Sequence, residues 1–214
     1  MSSAWASEAL ARAFGAERWQ ERGGWVVRAT PASTRRRGNS ALPLVANPER
    51  DVLADLGVDL VQVEPLEERA ELDAWLAGHG WQQEAPSLVL IGQGEVVARC
   101  AASLPAAAVR REGDRLFVPG GEATLAQLRG GHVVVFALEV EPAKRRHGLA
   151  RALLAAAAEH AASGTVLVQV EADNGPARAL YAAAGFEVLH RYHYRRAPDA
   201  PPPPSETHTS RAER

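Results

Sequence analysis

The chain has one cysteine, Cys100, so no disulfide can close within it. Cys100 lies in Val96-Val97-Ala98-Arg99-Cys100-Ala101, which reads as a strand with no histidine nearby in sequence. A buried small hydrophobe is therefore expected there rather than a nucleophile. Charge of one sign is also lacking. The 24 basic and 26 acidic residues leave a formal net charge of −2, and that excludes a global field for nucleic acid or anionic membrane. Any basic site must be local. Apolar runs such as Val133 to Leu138 fall far short of the roughly 20 residues needed to cross a bilayer, so no membrane partner is expected. Met1 to Gly15 lacks the basic and apolar regions of a secretory signal, which makes a cytoplasmic protein the expectation. His132, His147, His190 and His193 have no second ligand at metal spacing, so packing or surface roles are expected and no metal.

At 214 residues and 46% hydrophobic, the chain can bury the core of one large domain or two small ones. Strand-like runs alternate with helical patterns, which points to a mixed α+β, or α/β, fold. The strands are read at Gly24–Ala29, Asn39–Leu44, Asp59–Val63, Ser87–Ile91, Val96–Ala101, Val133–Val140, Thr165–Val170 and Glu187–Arg195. Helices are read at Glu67–Ala77, Gly148–Ala162 and Pro176–Ala184, with a short one at Pro48–Leu56; a hairpin and a short helix are expected within Val109–Gly131. From Pro198 to Arg214 the proline-rich, polar tail has too little apolar surface to offset its ordering entropy, and disorder is expected.

There is an internal echo. Leu60-Val61-Gln62-Val63-Glu64, a helix and Gly80-Trp81 recur as Leu167-Val168-Gln169-Val170-Glu171, a helix and Gly185-Phe186. One strand–helix–aromatic unit per half suggests two related subdomains.

Chemistry is concentrated in the second copy. The run Val133 to Val140 ends at Pro142, a basic turn Lys144-Arg145-Arg146-His147 follows, and an Ala/Leu-rich helix begins near Gly148. A helix opening on such a turn aims unpaired N–H groups and the positive dipole end into the loop, where Gly148 and Ala150 leave room for an anion. On spacing alone the same segment also reads as an ordinary strand-to-helix turn with solvated cations.

Arg145-x-x-Gly148-x-Ala150 after Leu138-Glu139-Val140-Glu141-Pro142 resembles the acyl-CoA pyrophosphate loop of the GNAT (GCN5-related) N-acetyltransferase superfamily. Asn174-x-x-Ala177-x-x-Leu180-Tyr181-x-x-x-Gly185-Phe186 resembles the second signature of that superfamily. The resemblance implies a GNAT fold: a central, twisted, mostly antiparallel mixed sheet flanked by helices. It implies acetyl-CoA as co-substrate, with amides from Arg146 to Ala150 on the pyrophosphate and the main chain of Leu138 and Val140 along the pantetheine arm. The implied cofactor-binding set takes in Arg145, Arg146, His147, Gly148, Leu149, Ala150 and Arg151 around the turn, and Asn174, Ala177 and Tyr181 beyond it. By the same resemblance Tyr181 donates a proton to the leaving sulfur, with Asn174 beside it in the catalytic set.

Protein N-terminal acetyltransferases of the superfamily carry a glutamate where this chain has Gln169, which cannot take up a proton. Glu139 is the replacement candidate for the base, with Glu171 behind it; a solvated strand carboxylate is the other reading of Glu139.

The first half resembles the degenerate GNAT-like portion of certain actinobacterial GNAT proteins, through Trp25-Val26-Val27-Arg28-Ala29 and Arg37-Gly38-Asn39-Ser40-Ala41-Leu42-Pro43. Tandem GNAT-like halves follow, with a degenerate subdomain over 1–94, a catalytic domain over 95–197 and the tail over 198–214. With Leu76 where the second half has Tyr181, the first half should not catalyse. Arg35-Arg36-Arg37 reads as a solvated hairpin. The expected activity is transfer of an acetyl group to a primary amine of a small molecule or protein, without nucleic acid; the assembly allows a homodimer. A CoA-binding regulatory module that has lost turnover is the alternative.

Overall fold

The computed structural model describes residues 2–31, 33, 35–101, 109–161 and 164–201. The elements in chain order are helix α1 (Ser3–Ala13), strands β1 (Arg18–Arg22), β2 (Trp25–Ala29) and β3 (Ser40–Pro43), helix α2 (Val52–Leu56), strand β4 (Leu60–Val63), helix α3 (Ala70–Gly78), strand β5 (Gln82–Gln93) and helix α4 (Gly94–Ala101). Strands β6 (Arg110–Glu112), β7 (Arg115–Val118), β8 (Gly121–Leu128) and β9 (His132–Val140) follow, then helix α5 (Leu149–Glu159), strand β10 (Thr165–Glu171), helix α6 (Gly175–Ala183) and strand β11 (Glu187–Arg196). The chain divides into two compact units, one of Met1–Phe14, Glu64–Glu68 and Ala85–His193, the other of Gly15–Val63, Arg69–Glu84 and Tyr194–Arg214.

The first unit holds the mixed sheet in the order β11-β5-β10-β9-β8-β7-β6. β10 is antiparallel to β5 and parallel to β9, and β9 is antiparallel to β8. One face buries Leu90, Leu125, Val133, Val135, Val168 and Val170 together with Val97 of α4, Leu153 and Leu154 of α5, and Tyr181 and Phe186 around α6. On α5 the buried positions Leu153, Leu154, Ala157 and Ala158 recur at helical spacing, which gives the helix one face for the sheet. Alternation sends Val134 and Phe136 to the other face, where Phe14 at the end of α1 meets Phe136 with ring centroids 4.8 Å apart.

The second unit contains a β1–β2 hairpin, with β2 antiparallel to β3 and β3 parallel to β4. Its two sequence elements meet inside. Trp25 is fully buried, and its indole N–H donates to the Glu49 carbonyl at 2.8 Å. The buried guanidinium of Arg28 donates through Nη2 to Ser40 Oγ at 2.8 Å and to Gln62 Oε1 at 2.6 Å.

Four expectations need correcting. Val96–Ala101 is not a strand but the body of α4, in which Gly94, Val97 and Ala101 are buried at helical spacing. Cys100 accordingly points away from that face and is exposed. The segment 109–131 forms β6, β7 and β8, with no helix among its residues. Arg35-Arg36-Arg37 is no solvated hairpin: a short 3₁₀ turn begins at Arg36, and Arg36 Nε donates to Glu84 Oε1 at 2.9 Å. Of the tail expected to be disordered, residues 202–214 lie outside the described residues.

Candidate active site

The parallel ladder between β9 and β10 has three rungs, Val133–Val166, Val134–Leu167 and Val135–Val168. Past Val135 a bulge interrupts β9. Thr124 of β8 is opposite Phe136, but Glu122 is opposite Glu139, so β9 carries one extra residue there. Ala137 takes up the distortion with φ of 51°, a left-handed conformation that costs a non-glycine residue about 1–2 kcal/mol. The bulge also shifts the alternation by one position, and Leu138 returns to pack, partly buried, against the core. The two parallel strands separate here, and the main chain of Leu138 to Val140 borders the opening.

From the end of β9 the chain enters the basic turn. Pro142–Lys144 forms a single 3₁₀ turn, Arg146 has φ of 69°, and Gly148 caps α5 with φ of 78°. No side chain caps the start of α5, so its first N–H groups point into the turn. Lys144, Arg145, Arg146 and His147 are exposed, whereas Gly148, Leu149, Ala150 and Arg151 are half-buried. Two of these side chains have internal engagements. Arg145 Nε donates to the Val140 carbonyl at 3.1 Å, and the His147 ring folds back with Nδ1 2.8 Å from the Arg145 carbonyl.

Beyond the opening, Asn174 caps α6, its Oδ1 accepting the Ala177 N–H at 3.1 Å. Asn174, expected in the catalytic set, thus has its side-chain carbonyl oxygen committed to the start of α6. Tyr181 is buried, edge-on to Phe186 with ring centroids 5.5 Å apart. Burial pushes the Tyr181 hydroxyl up to about 12, so the phenol keeps its proton through the physiological range. Glu139, on the bulged stretch, is exposed and stands across from Glu122 of β8, which is itself paired with Arg115. Glu171 is exposed at the end of β10. Among the described residues, no group of three His, Cys, Asp or Glu side chains is gathered for a metal ion.

Two features of the site were not read from the sequence. One is the bulge at Ala137, which leaves no compositional mark in Val133 to Val140. The other is the state of Gln169, whose side-chain nitrogen and oxygen are both buried without a hydrogen-bond partner.

A split between parallel strands, facing an uncapped helix start and a buried tyrosine, is a cradle for a long ligand with a polyanionic end. The model of the acetyltransferase (GNAT) family matches residues 55–186, more than half of the chain. The chain belongs to that family. Among solved structures, a GCN5-related N-acetyltransferase from Kribbella flavida has a similar fold, with a TM-score of 0.64 and 14% identity over 94% of this chain and 97% of that one. A functionally unknown conserved protein from Staphylococcus epidermidis has a TM-score of 0.56 at 11% identity, covering 83% of this chain and 92% of its own. A tandem GNAT protein from the clavulanic acid biosynthesis pathway reaches 0.53 at 13% identity, over 77% of this chain and 76% of its own. At these identities the likeness shows the GNAT fold. No curated protein matches the chain.

Proposed function

We propose that this GNAT protein transfers an acetyl group from acetyl-CoA to a primary amine of a small molecule or protein by direct attack. The observation that carries the reading is the opening past Val135 and Val168, bordered by the free start of α5 on one side and Tyr181 on the other. The pyrophosphate fits the N–H groups at the start of α5, with Lys144, Arg145 and Arg146 supplying charge. The pantetheine arm fits alongside Leu138 and Val140 as an added strand. Since the Val140 carbonyl already accepts from Arg145, that arm pairs there through the carbonyl's second lone pair or displaces the arginine.

In the reaction the amine lone pair attacks the thioester carbon, a C–N bond forms, the C–S bond breaks, and the sulfur leaves as thiolate. Tyr181 donates to that sulfur. A phenol at about 12 is a weaker acid than a thiol near 8.5, so it stabilises the departing thiolate chiefly by donating a hydrogen bond, and any proton it does pass to sulfur is regained from water. The proton shed by the amine goes to solvent or to Glu139, whose exposure lets it exchange with water.

Two GNAT-like halves are part of the proposal. The Trp81 N–H donates to the Leu76 carbonyl at 3.0 Å after Gly80 with φ of 83°, and the Phe186 N–H donates to the Tyr181 carbonyl at 3.0 Å after Gly185 with φ of 84°. The same turn at both ends of the sequence echo supports duplication, with Leu76 leaving the first copy without a proton donor. A boundary near residue 95 between the degenerate and the catalytic half is part of the same proposal.

Titration calorimetry with acetyl-CoA, followed by thiol release across a panel of amines, tests the function. Micromolar binding and amine-dependent release of CoA are expected. Absence of binding at millimolar acetyl-CoA overturns the reading, and binding without release for every amine would favour the regulatory module.

A further inference from the structure

The side-chain amide of Gln169 is a buried polar group beside the site that the chemistry above leaves unused. Gln169 directly follows Val168, the last β10 residue paired with β9, and therefore stands at the mouth of the opening. Its neighbours Val168 and Val170 are buried in the core with α5 and Tyr181, so strand alternation sends the Gln169 side chain to the opposite face. Both its Nε2 and its Oε1 are buried without a hydrogen-bond partner. A dry primary amide forfeits the hydrogen bonds it makes in water, and a bound group with a complementary donor and acceptor would restore them. The corresponding glutamine of the sequence echo behaves differently: Gln62 Oε1 accepts from Arg28 Nη2 at 2.6 Å.

We propose that Gln169 selects the acceptor, reading a neutral amide group that lies next to the amine to be acetylated. The inference rests on the acetyl transfer proposed above. A glutamine offers a donor and an acceptor side by side, and the group complementary to it is another amide, which satisfies both. A carboxylate would leave Oε1 facing oxygen, and an ammonium would leave Nε2 unmatched. Pantetheine also contains amides, but it lies along the main chain of β9, whereas Gln169 projects from β10 on the face away from Tyr181. A thioester held in the split thus meets Tyr181 from one face and an acceptor anchored by Gln169 from the other. Glutamine takes up no proton, so Gln169 is a positioning residue and the amine's own pKa still governs the rising limb of the pH profile.

Glycinamide and propylamine, primary amines of similar size with and without the amide, are the probes, compared at equal free-base concentration. The wild-type protein is expected to favour glycinamide in kcat/KM by about tenfold or more. Q169M, of equal length and apolar, should abolish that preference by raising KM for glycinamide about tenfold, while propylamine changes less than about twofold. The calorimetric Kd for acetyl-CoA should also stay within about twofold. Q169E keeps an acceptor and loses the donor, and should keep part of the preference if Q169M does not fold. No preference in the wild type, equal loss with both amines, or a tenfold weaker Kd for acetyl-CoA in Q169M overturns the proposal. Failure of the wild type to bind acetyl-CoA would instead sink acetyl transfer itself, so the two failures are distinct.

Discussion

The main-chain N–H of Phe186 donates to the Tyr181 carbonyl at 3.0 Å, and the two rings meet edge-on across a single tight turn. Gly185 makes that turn possible. With φ of 84° it occupies backbone space that side chains avoid, and a Cβ built there would approach Val96 Cγ1 to 2.8 Å. Gly185→Ala is expected to destabilise the protein by about 2–4 kcal/mol, combining left-handed strain with overpacking against α4. A thermal melt checks this; an unchanged Tm would mean that the turn relaxes at no cost.

Removal of the Tyr181 hydroxyl should slow thiol release with little effect on acetyl-CoA affinity. Tyr181→Phe is expected to lower kcat by about 10²–10³-fold, the range for losing a positioned acid. Burial raises the hydroxyl to about 12, so the wild-type pH–rate profile should rise as the acceptor amine loses its proton and show no decline from Tyr181 below about pH 11. A descending limb between pH 8 and 10 that vanishes in Tyr181→Phe would contradict that assignment.

Charge on the turn before α5 should govern affinity for the co-substrate. Reversal of both exposed cations, in Arg145→Glu with Arg146→Glu, is expected to weaken acetyl-CoA binding by about tenfold or more in low salt. The difference should narrow as ionic strength rises, because exposed charges are screened within about 10 Å at 0.1 M. Calorimetry at two salt concentrations reads it, and a loss independent of salt would point to misfolding of the turn.

In the second unit, Glu84 accepts from Arg196 Nε at 2.7 Å and from Arg36 Nε at 2.9 Å. Desolvation alone would raise its carboxyl, but the hydrogen bonds and charges of Arg196 and Arg36 prevail and hold it below the ordinary value near 4.5. A carboxyl depressed in the folded state contributes stability above its unfolded pKa, and that contribution fades as pH falls through the folded value. Wild type and Glu84→Gln should therefore differ most in denaturant midpoint near pH 7 and converge well below pH 4. A gap that persists unchanged at pH 3 would show that Glu84 acts through packing.

The sequence made the second copy legible because its signals are local. Pro142, the basic turn and Gly148 punctuate strand, turn and helix, and Asn174, Pro176 and Gly185 frame α6, each through a backbone preference of the residue itself. It misjudged α4 because Val96-Val97 suits a strand by propensity. The decisive fact is non-local: a Cβ at Gly94 would lie 2.9 Å from Ala161 Cβ, so α4 begins where the end of α5 passes close by. Helix α1 was missed as well, and its partners include Phe136, far along the chain.

By itself, then, the order of residues determined the family signatures, the turn before α5 and the short helix that carries Tyr181, since these follow from dihedral preferences and spacing within a few residues. Only the tertiary structure decided where β9 parts from β10, that Tyr181 is buried, and that Gln169 stands at the opening with its amide unsatisfied. Those properties come from strand register and the exclusion of water, which no stretch of chain fixes until its neighbours are in place.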